Sequence, residues 1–431
     1  MLVDPRQAGT GALLFGTRKS IAHIQGGLTL EKRLGREDTL TLIGYSGQRR
    51  INQYLAFSGN GASQAGGVVD LDRSFGGLGA RWTHRALVAA TPLTFTAGID
   101  YDNQAERRRG FVNNNGVAGA LKRDEDDRVY NFDQYAQLEW QPSERWTVSA
   151  GLRRNHVRFY STDHYITGAP NPDDSGSAHF EKTNPMAGVL YHLSETTNMH
   201  LNAGQGFETP SFAELAYRPD GSSGLNFALK PSVSRSLEAG IKSFVTSATR
   251  LNAAIFRIRT ANEIVTGPTP SAGRNTYMNA DLTARDGLEL SLDSDLGAGV
   301  KAYAAYTYIN ARFSDYVNFA GASLSGKLIP GVPQAALHAE LRWRASRIWS
   351  QRWRPTTFLR SPSTISIPMP RPPTLWLAGA SDSGRTTTTG NGGNFSASTI
   401  CSTAATPDRS SSTPVAAPTS SLRSVAASWR A

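Results

Sequence analysis

The chain has 431 residues, 39% hydrophobic and 19% charged, with 41 Gly, one Cys and a formal net charge of +10. That length holds two or three ordinary domains or one large barrel. A single cysteine excludes a disulfide framework, and no apolar run of about 18 residues is present to form a transmembrane helix.

A basic balance is what nucleic-acid binding needs, but its distribution argues for no nucleic-acid partner. Residues 347–431 hold nine Arg, no Lys and two acids, a net +7, which leaves only +3 for the first 346 residues. The opening MLVDPRQAGTGALLFG lacks a basic stretch followed by an apolar one, so no secretory signal is expected in the chain as written.

Residues 20–57 contain LTLEKRL, a charged turn at 35–38 and then TLTLIGYSGQRR, which is a hairpin pattern. Residues 68–101 repeat it with VVDLDRSF, ARWTHRAL and LTFTAGIDYD. Asn103 to Arg128 reads as a long polar insert carrying Arg107-Arg108-Arg109 and Asp124-Glu125-Asp126-Asp127. YNFDQYAQLEW and WTVSAGLRRNHVRFY then flank a short turn at 141–145.

Short turns (PSERW, HLSETTN, SFVTSATR, SDLGAGV) alternate with long polar connections expected near 103–128, 159–182, 208–233, 259–278 and 312–332. The strands between them, such as TRLNAAIFRIRT and GVKAYAAYTYINARF, carry mostly apolar residues on one face and polar ones on the other. A half-buried soluble sheet with one wet face would alternate in the same way. A soluble sandwich has no reason to put every long loop at one end, whereas an up-and-down membrane barrel does. The expected fold is therefore all-β, an antiparallel transmembrane barrel.

Gly204–Pro231, GQGFETPSFAELAYRPDGSSGLNFALKP, lies between two alternating runs, and its prolines remove strand donors, so it reads as a long ordered loop. Gly206, Phe207, Thr209, Pro210, Glu214 and Leu215 form a GFxTPxxxEL element. Leu229, Pro231, Ser236, Glu238, Gly240 and Lys242 follow as L-x-P and SxExGxK. These elements resemble the loop entry and following strand of TonB-dependent outer-membrane receptors. The wording YRPDGSSGLNFALKPS is most similar to the receptors associated with pyrroloquinoline quinone uptake.

The resemblance implies the middle strands of a 22-stranded receptor barrel over 1–346, in the outer membrane and in contact with its lipid. It implies a monomer, a small-molecule ligand such as a quinone or siderophore, and in full-length relatives a TonB complex that does work on a plug. No plug or TonB box is recognisable ahead of the strands.

After residue 346 the alternation stops, and Lys, Glu and Tyr vanish. One reading is a low-complexity tail. The other is a one-nucleotide frame shift, because the possible codons of Thr399–Thr413, regrouped one nucleotide earlier, spell DNLFDRRYAGSVIVN. Receptors of this family carry similar text near their C-terminus. On that reading 347–431 is out-of-frame text, and the chain is expected to be non-functional as it stands. A passive porin-like barrel and a soluble β-rich binding protein with a basic tail are the alternative functions.

No catalytic constellation stands out, there is no GxSxG elbow, and no enzyme activity or cofactor is expected. His156, His164, His179, His192 and His200 show no metal-ligand spacing. The run 124–127 reads as a solvated face that pairs with Arg107–Arg109. A receptor for a small polyanion needs cationic and aromatic groups converging above the lumen. The loop candidates are Arg107, Arg108, Arg109, Tyr217, Arg218, Asn226, Phe227 and Arg274.

Overall fold

The computed structural model describes residues 7–62, 64–169, 171–269, 275–344, 350–353 and 356–359. Its strands are β1 (Arg18–Arg33), β2 (Asp38–Tyr54), β3 (Val68–Val88), β4 (Thr91–Asn114) and β5 (Val117–Ser143). They continue with β6 (Trp146–Asp163), β7 (Gly176–Ser194), β8 (Thr197–Glu208), β9 (Ser232–Thr246) and β10 (Thr249–Thr266). The last are β11 (Tyr277–Gly297), β12 (Val300–Asp315), β13 (Ala335–Arg344), β14 (Ser350–Trp353) and β15 (Thr356–Leu359). Two short helices, α1 (Thr10–Leu14) and α2 (Phe212–Leu215), accompany them, so no described helix is long enough to cross a membrane.

All strands belong to one sheet whose order follows the chain, β1 through β14, with β15 paired to β13. Each strand from β1 to β14 pairs antiparallel with its sequence neighbour, from β1–β2 at one edge to β13–β14 at the other, and β15 lies antiparallel beside β13. Two four-residue strands thus stand in what the sequence presented as an irregular tail, and residues 360–431 lie outside the described residues.

Turns of two to four residues close one end, at 34–37, 89–90, 144–145, 195–196, 247–248 and 298–299. The other end carries the connections 55–67, 164–175, 209–231, 267–276 and 316–334.

One expected loop is corrected. Residues 103–128 are not an insert but the far halves of β4 and β5, joined by a two-residue turn at Asn115-Gly116. Both turn residues have positive φ, 50° and 90°, the backbone that a tight hairpin turn requires and that Asn-Gly supplies at least cost. The strands pair without interruption up to Gly110, with Arg107 opposite Asp126, Arg108 opposite Glu125 and Arg109 opposite Asp124.

The two faces of the sheet have opposite chemistry. Loop 209–231 lies on one of them. Its Phe212, Leu215, Leu225 and Leu229 are buried with Val157 and Phe159 of β6, and Val129, Phe180, Ile264 and Tyr277 pack against the cluster. These partners come from β5, β6, β7, β10 and β11, so the sheet curves toward the loop and this face is the inner one.

Register then assigns the remaining residues. The inner face buries Thr41, Glu106, Asp127, Asp133 and Ser161. The outer face exposes Leu78, Ile99, Leu152, Leu201, Ile255 and Leu341, each between 44% and 70% accessible. A water-soluble protein does not leave so much apolar surface uncovered. Polar-in, apolar-out alternation is the arrangement of a membrane barrel wall.

Aromatic rings mark the lower border of the apolar band. Near the short-turn end the outer face carries Trp82, Phe95, Trp140, Trp146 and Tyr191, with Trp82 stacking edge-on to Phe95 at 5.8 Å and Trp146 lying 4.6 Å from Tyr191. Such rings favour the interface between hydrocarbon and water. A tilted strand needs about 9–11 residues to cross the hydrocarbon. Counted up β5 from Trp140, that span ends near Tyr130, so the hairpin above it stands outside the membrane. Water on its outer face and a charged, buried inner face explain why its sequence is mostly polar.

Candidate ligand-binding vestibule

The sequence-derived candidates divide along the strand period. Successive residues of a strand face opposite sides, so Arg107, Arg108 and Arg109 cannot converge. Arg107 points outward and bonds Asp124 through two nitrogens at 3.0 and 2.8 Å. Arg109 points outward as well, 2.7 Å from Asp70. Arg108 alone turns inward, 4.0 Å from Glu125, with its guanidinium 5.8 Å from the centre of the Tyr217 ring.

Loop 209–231 brings Tyr217 there because α2 anchors it. Ser211 caps the helix by accepting from the Glu214 amide, and the Glu214 carboxylate in return accepts from the Ser211 amide at 2.8 Å. This reciprocal arrangement satisfies the free donors of the first turn. Phe212 and Leu215 are thereby held in the core, with Phe212 edge-on to Phe159 at 5.1 Å. Ala216 and Tyr217 follow directly, and Arg123 of β5 donates to the Ala216 carbonyl at 3.2 Å.

The other candidates scatter. Arg218 lies 4.0 Å from Asp220 and is half-exposed. Asn226 is structural, donating its side-chain nitrogen to the Tyr277 carbonyl at 3.3 Å, and Phe227 packs against the loop core. Arg274 lies outside the described residues. The inner face therefore brings together Arg108 and Tyr217 but not the wider set.

It adds two residues that the sequence reading left on a solvated loop face, Glu125 and Asp127, and a third, Arg123, that it did not single out. Arg123, Glu125 and Asp127 all face inward from β5 and are buried, Asp127 to 2% accessibility. The visible signal is their spacing of two. Once 117–128 is a strand, 123, 125 and 127 share one face, while 124 and 126 share the other.

Arg123 lies 2.7 Å from Glu125, and its guanidinium sits 5.6 Å from the Tyr217 ring centre. Burial opposes ionisation of Glu125, but Arg123 and Arg108 outweigh it and hold the carboxyl below its usual range. Asp127 fares differently. Burial first, and the Glu125 charge second, push it up to about 7. Ser161, directly opposite, moderates the rise without making a well-formed hydrogen bond to either carboxylate oxygen. The vestibule wall is thus an Arg–Tyr–Arg stack whose cations are neutralised by one firmly ionised carboxylate and one that titrates near neutrality.

A one-sheet, inside-out wall with all its long loops at one end defines an outer-membrane β-barrel with a loop-lined mouth. The comparisons sharpen this class. Residues 6–403 match the family described as TonB dependent receptor-like, beta-barrel. Over 203 residues, 47% of this chain, it is 25% identical to the vitamin B12 transporter BtuB of Vibrio vulnificus, covering 28% of that protein.

Among solved structures, 79% of the chain superposes on the siderophore receptor PiuA of Acinetobacter baumannii with TM-score 0.62, at 15% identity and over 55% of that chain. It superposes equally on the ferric citrate transporter FecA, with TM-score 0.62, 18% identity and 49% of that chain. The ferric-catecholate receptor Fiu of E. coli K12 gives 0.61, at 15% identity and over 54% of its length. The chain belongs to the TonB-dependent receptor family, whose members are transporters of the outer membrane and not enzymes. It spans about half the length of these solved structures.

Proposed function

We propose that the chain forms the wall and mouth of a receptor that captures a scarce small molecule at the cell surface, import being driven by the TonB complex in the whole protein. Family membership supports the receptor role. The observation that carries the ligand reading is the Arg108–Tyr217–Arg123 stack on the inner face, at the long-loop end of the sheet.

A flat acidic molecule suits that stack, through ring contact with Tyr217 and charge-assisted bonds to the guanidinium groups. Pyrroloquinoline quinone, with three carboxylates on a planar body, is the ligand that we favour. The loop wording YRPDGSSGLNFALKPS points the same way. A siderophore-type acidic chelate shares the chemistry.

Binding by the detergent-folded chain is measured by calorimetry with pyrroloquinoline quinone, a ferric catecholate and cyanocobalamin in turn. The quinone is expected to bind most tightly, with Tyr217→Ala weakening it by about tenfold or more, as loss of a stacking cation–π partner implies. Preference for cyanocobalamin, or indifference to Tyr217→Ala, would remove the acidic-ligand reading.

A further inference from the structure

On the opposite face of the wall, three metal-donor side chains meet. His156 of β6 stands directly across from Glu181 of β7, and His179 is two residues further along β7, on the same outer face. His179 Nε2 lies 3.2 Å from His156 Nδ1, and Glu181 Oε2 lies 3.7 Å from the same nitrogen. All three donor atoms fall within 4.8 Å of one another. Two ligands at tetrahedral zinc distances are about 3.3 Å apart, so the cluster needs little adjustment to enclose a metal ion.

The surroundings prepare the carboxylate. Arg154 donates through Nε to Glu181 Oε1 at 2.7 Å and through Nη2 to the same oxygen, which leaves Oε2 turned toward the imidazoles. Outer-shell partners of this kind fix the orientation of metal ligands. Arg158 acts in the other direction. Its Nε donates to His156 Nε2 at 3.1 Å, so the neutral ring keeps its proton on Nδ1, the atom a metal would take. Metal binding must move that proton, and Arg158 must turn aside.

We propose that His156, His179 and Glu181 form a binding site for a divalent transition metal (zinc, copper or nickel), with a fourth position open to water. Two imidazoles and one carboxylate are a borderline donor set that suits these ions rather than magnesium or calcium. His156 is ten residues up β6 from Trp146, where the hydrocarbon span of about 9–11 residues ends. The cluster therefore sits at the outer rim of the apolar band, within reach of water. It is separate from the vestibule, which occupies the inner face.

The test uses the full chain folded in detergent, with zinc followed by calorimetry and copper by electron paramagnetic resonance. One ion per chain and nitrogen hyperfine structure on copper are expected. His156→Ala and His179→Ala should each weaken binding at least about tenfold, the range that metal-site substitutions produce. Arg158→Ala should tighten it, which a variant that merely misfolds cannot do. His164→Ala, remote from the cluster, should leave it unchanged. Absence of binding, binding insensitive to both histidine variants, or a weaker site in Arg158→Ala would each overturn the proposal.

Discussion

At the scale of single residues the strand period decides which charges do what. Arg107 and Arg109 are committed to outer-face carboxylates, whereas Arg108 shares Glu125 with Arg123. Arg108→Ala is therefore expected to weaken binding of an acidic ligand, while Arg107→Ala leaves it unchanged; parallel titrations distinguish them. Asp127 adds a pH dependence. Its folded value of about 7 lies above the ordinary 3.8, so the folded state holds a proton that the unfolded chain has lost. The associated stabilisation is complete below pH 3.8 and disappears as pH rises through 7. Asp127→Asn needs no proton, so it should flatten this dependence and be the more stable form at pH 8, by on the order of a few kcal/mol. Urea unfolding of both forms at pH 5 and 8 provides the check. Protonated Asp127 also leaves Arg108 and Arg123 less neutralised, so an acidic ligand should bind more tightly at pH 6 than at pH 8.

At the scale of elements, the sequence showed the up-and-down sheet well, because hairpins inside the membrane band have one apolar and one polar face. It failed on 103–128 for a physical reason. Beyond the membrane the outer face of the hairpin is wet while its buried inner face is charged, so the apolar–polar alternation disappears and a strand reads like a loop. Asn115-Gly116 was the surviving signal of a tight turn. The His156–His179–Glu181 cluster was hidden by a related effect. Cross-strand neighbours lie 23 and 25 residues apart here, so no local ligand spacing could reveal them. Loop 209–231, by contrast, announced itself through its prolines and GFxTPxxxEL text, and the structure shows what that text does locally. Ser211 and Glu214 close the capping box that lets Phe212 and Leu215 seat the loop. Phe212→Ala should cost about 3–5 kcal/mol of local stability, the usual result of emptying a buried aromatic site. Limited proteolysis of the folded chain should then cut within 209–231 faster than in the parent, with β-content unchanged. Equal cleavage rates would mean that the loop is held by something other than this core.

At the scale of the whole molecule, the apolar outer face and buried polar inner face make a definite claim about the solvent. Leu152 is 53% exposed, near the middle of the band, and its neighbour Arg153 faces inward, bonded to Asp133 and Asp100. Leu152→Arg should lower stability in lipid vesicles by about 2–4 kcal/mol, while Gln137→Arg on the inner face is tolerated. In a water-soluble sheet the first change would be nearly silent. The composition break after residue 346 falls just beyond β13. β13 is ten residues long and suffices to cross, but β14 and β15, which pair with it, have four residues each. β14 pairs with Leu341–Arg344 and β15 with Ala335–His338, so together they cover eight of the ten residues along that edge of β13. β13 itself stops at Arg344, just before the text changes. We propose, from the composition break and the regrouped codons, that a one-nucleotide shift near 346–348 replaced the text that follows. Resequencing the DNA across codons 340–413 should reveal an open neighbouring frame that encodes DNLFDRRYAGSVIVN in place of Thr399–Thr413. The chain rewritten in that frame should show heat-modifiable migration that survives to a higher temperature than that of the chain as written. Stop codons throughout the neighbouring frame would sink the proposal, and the segment after Arg344 would have to be explained as it stands.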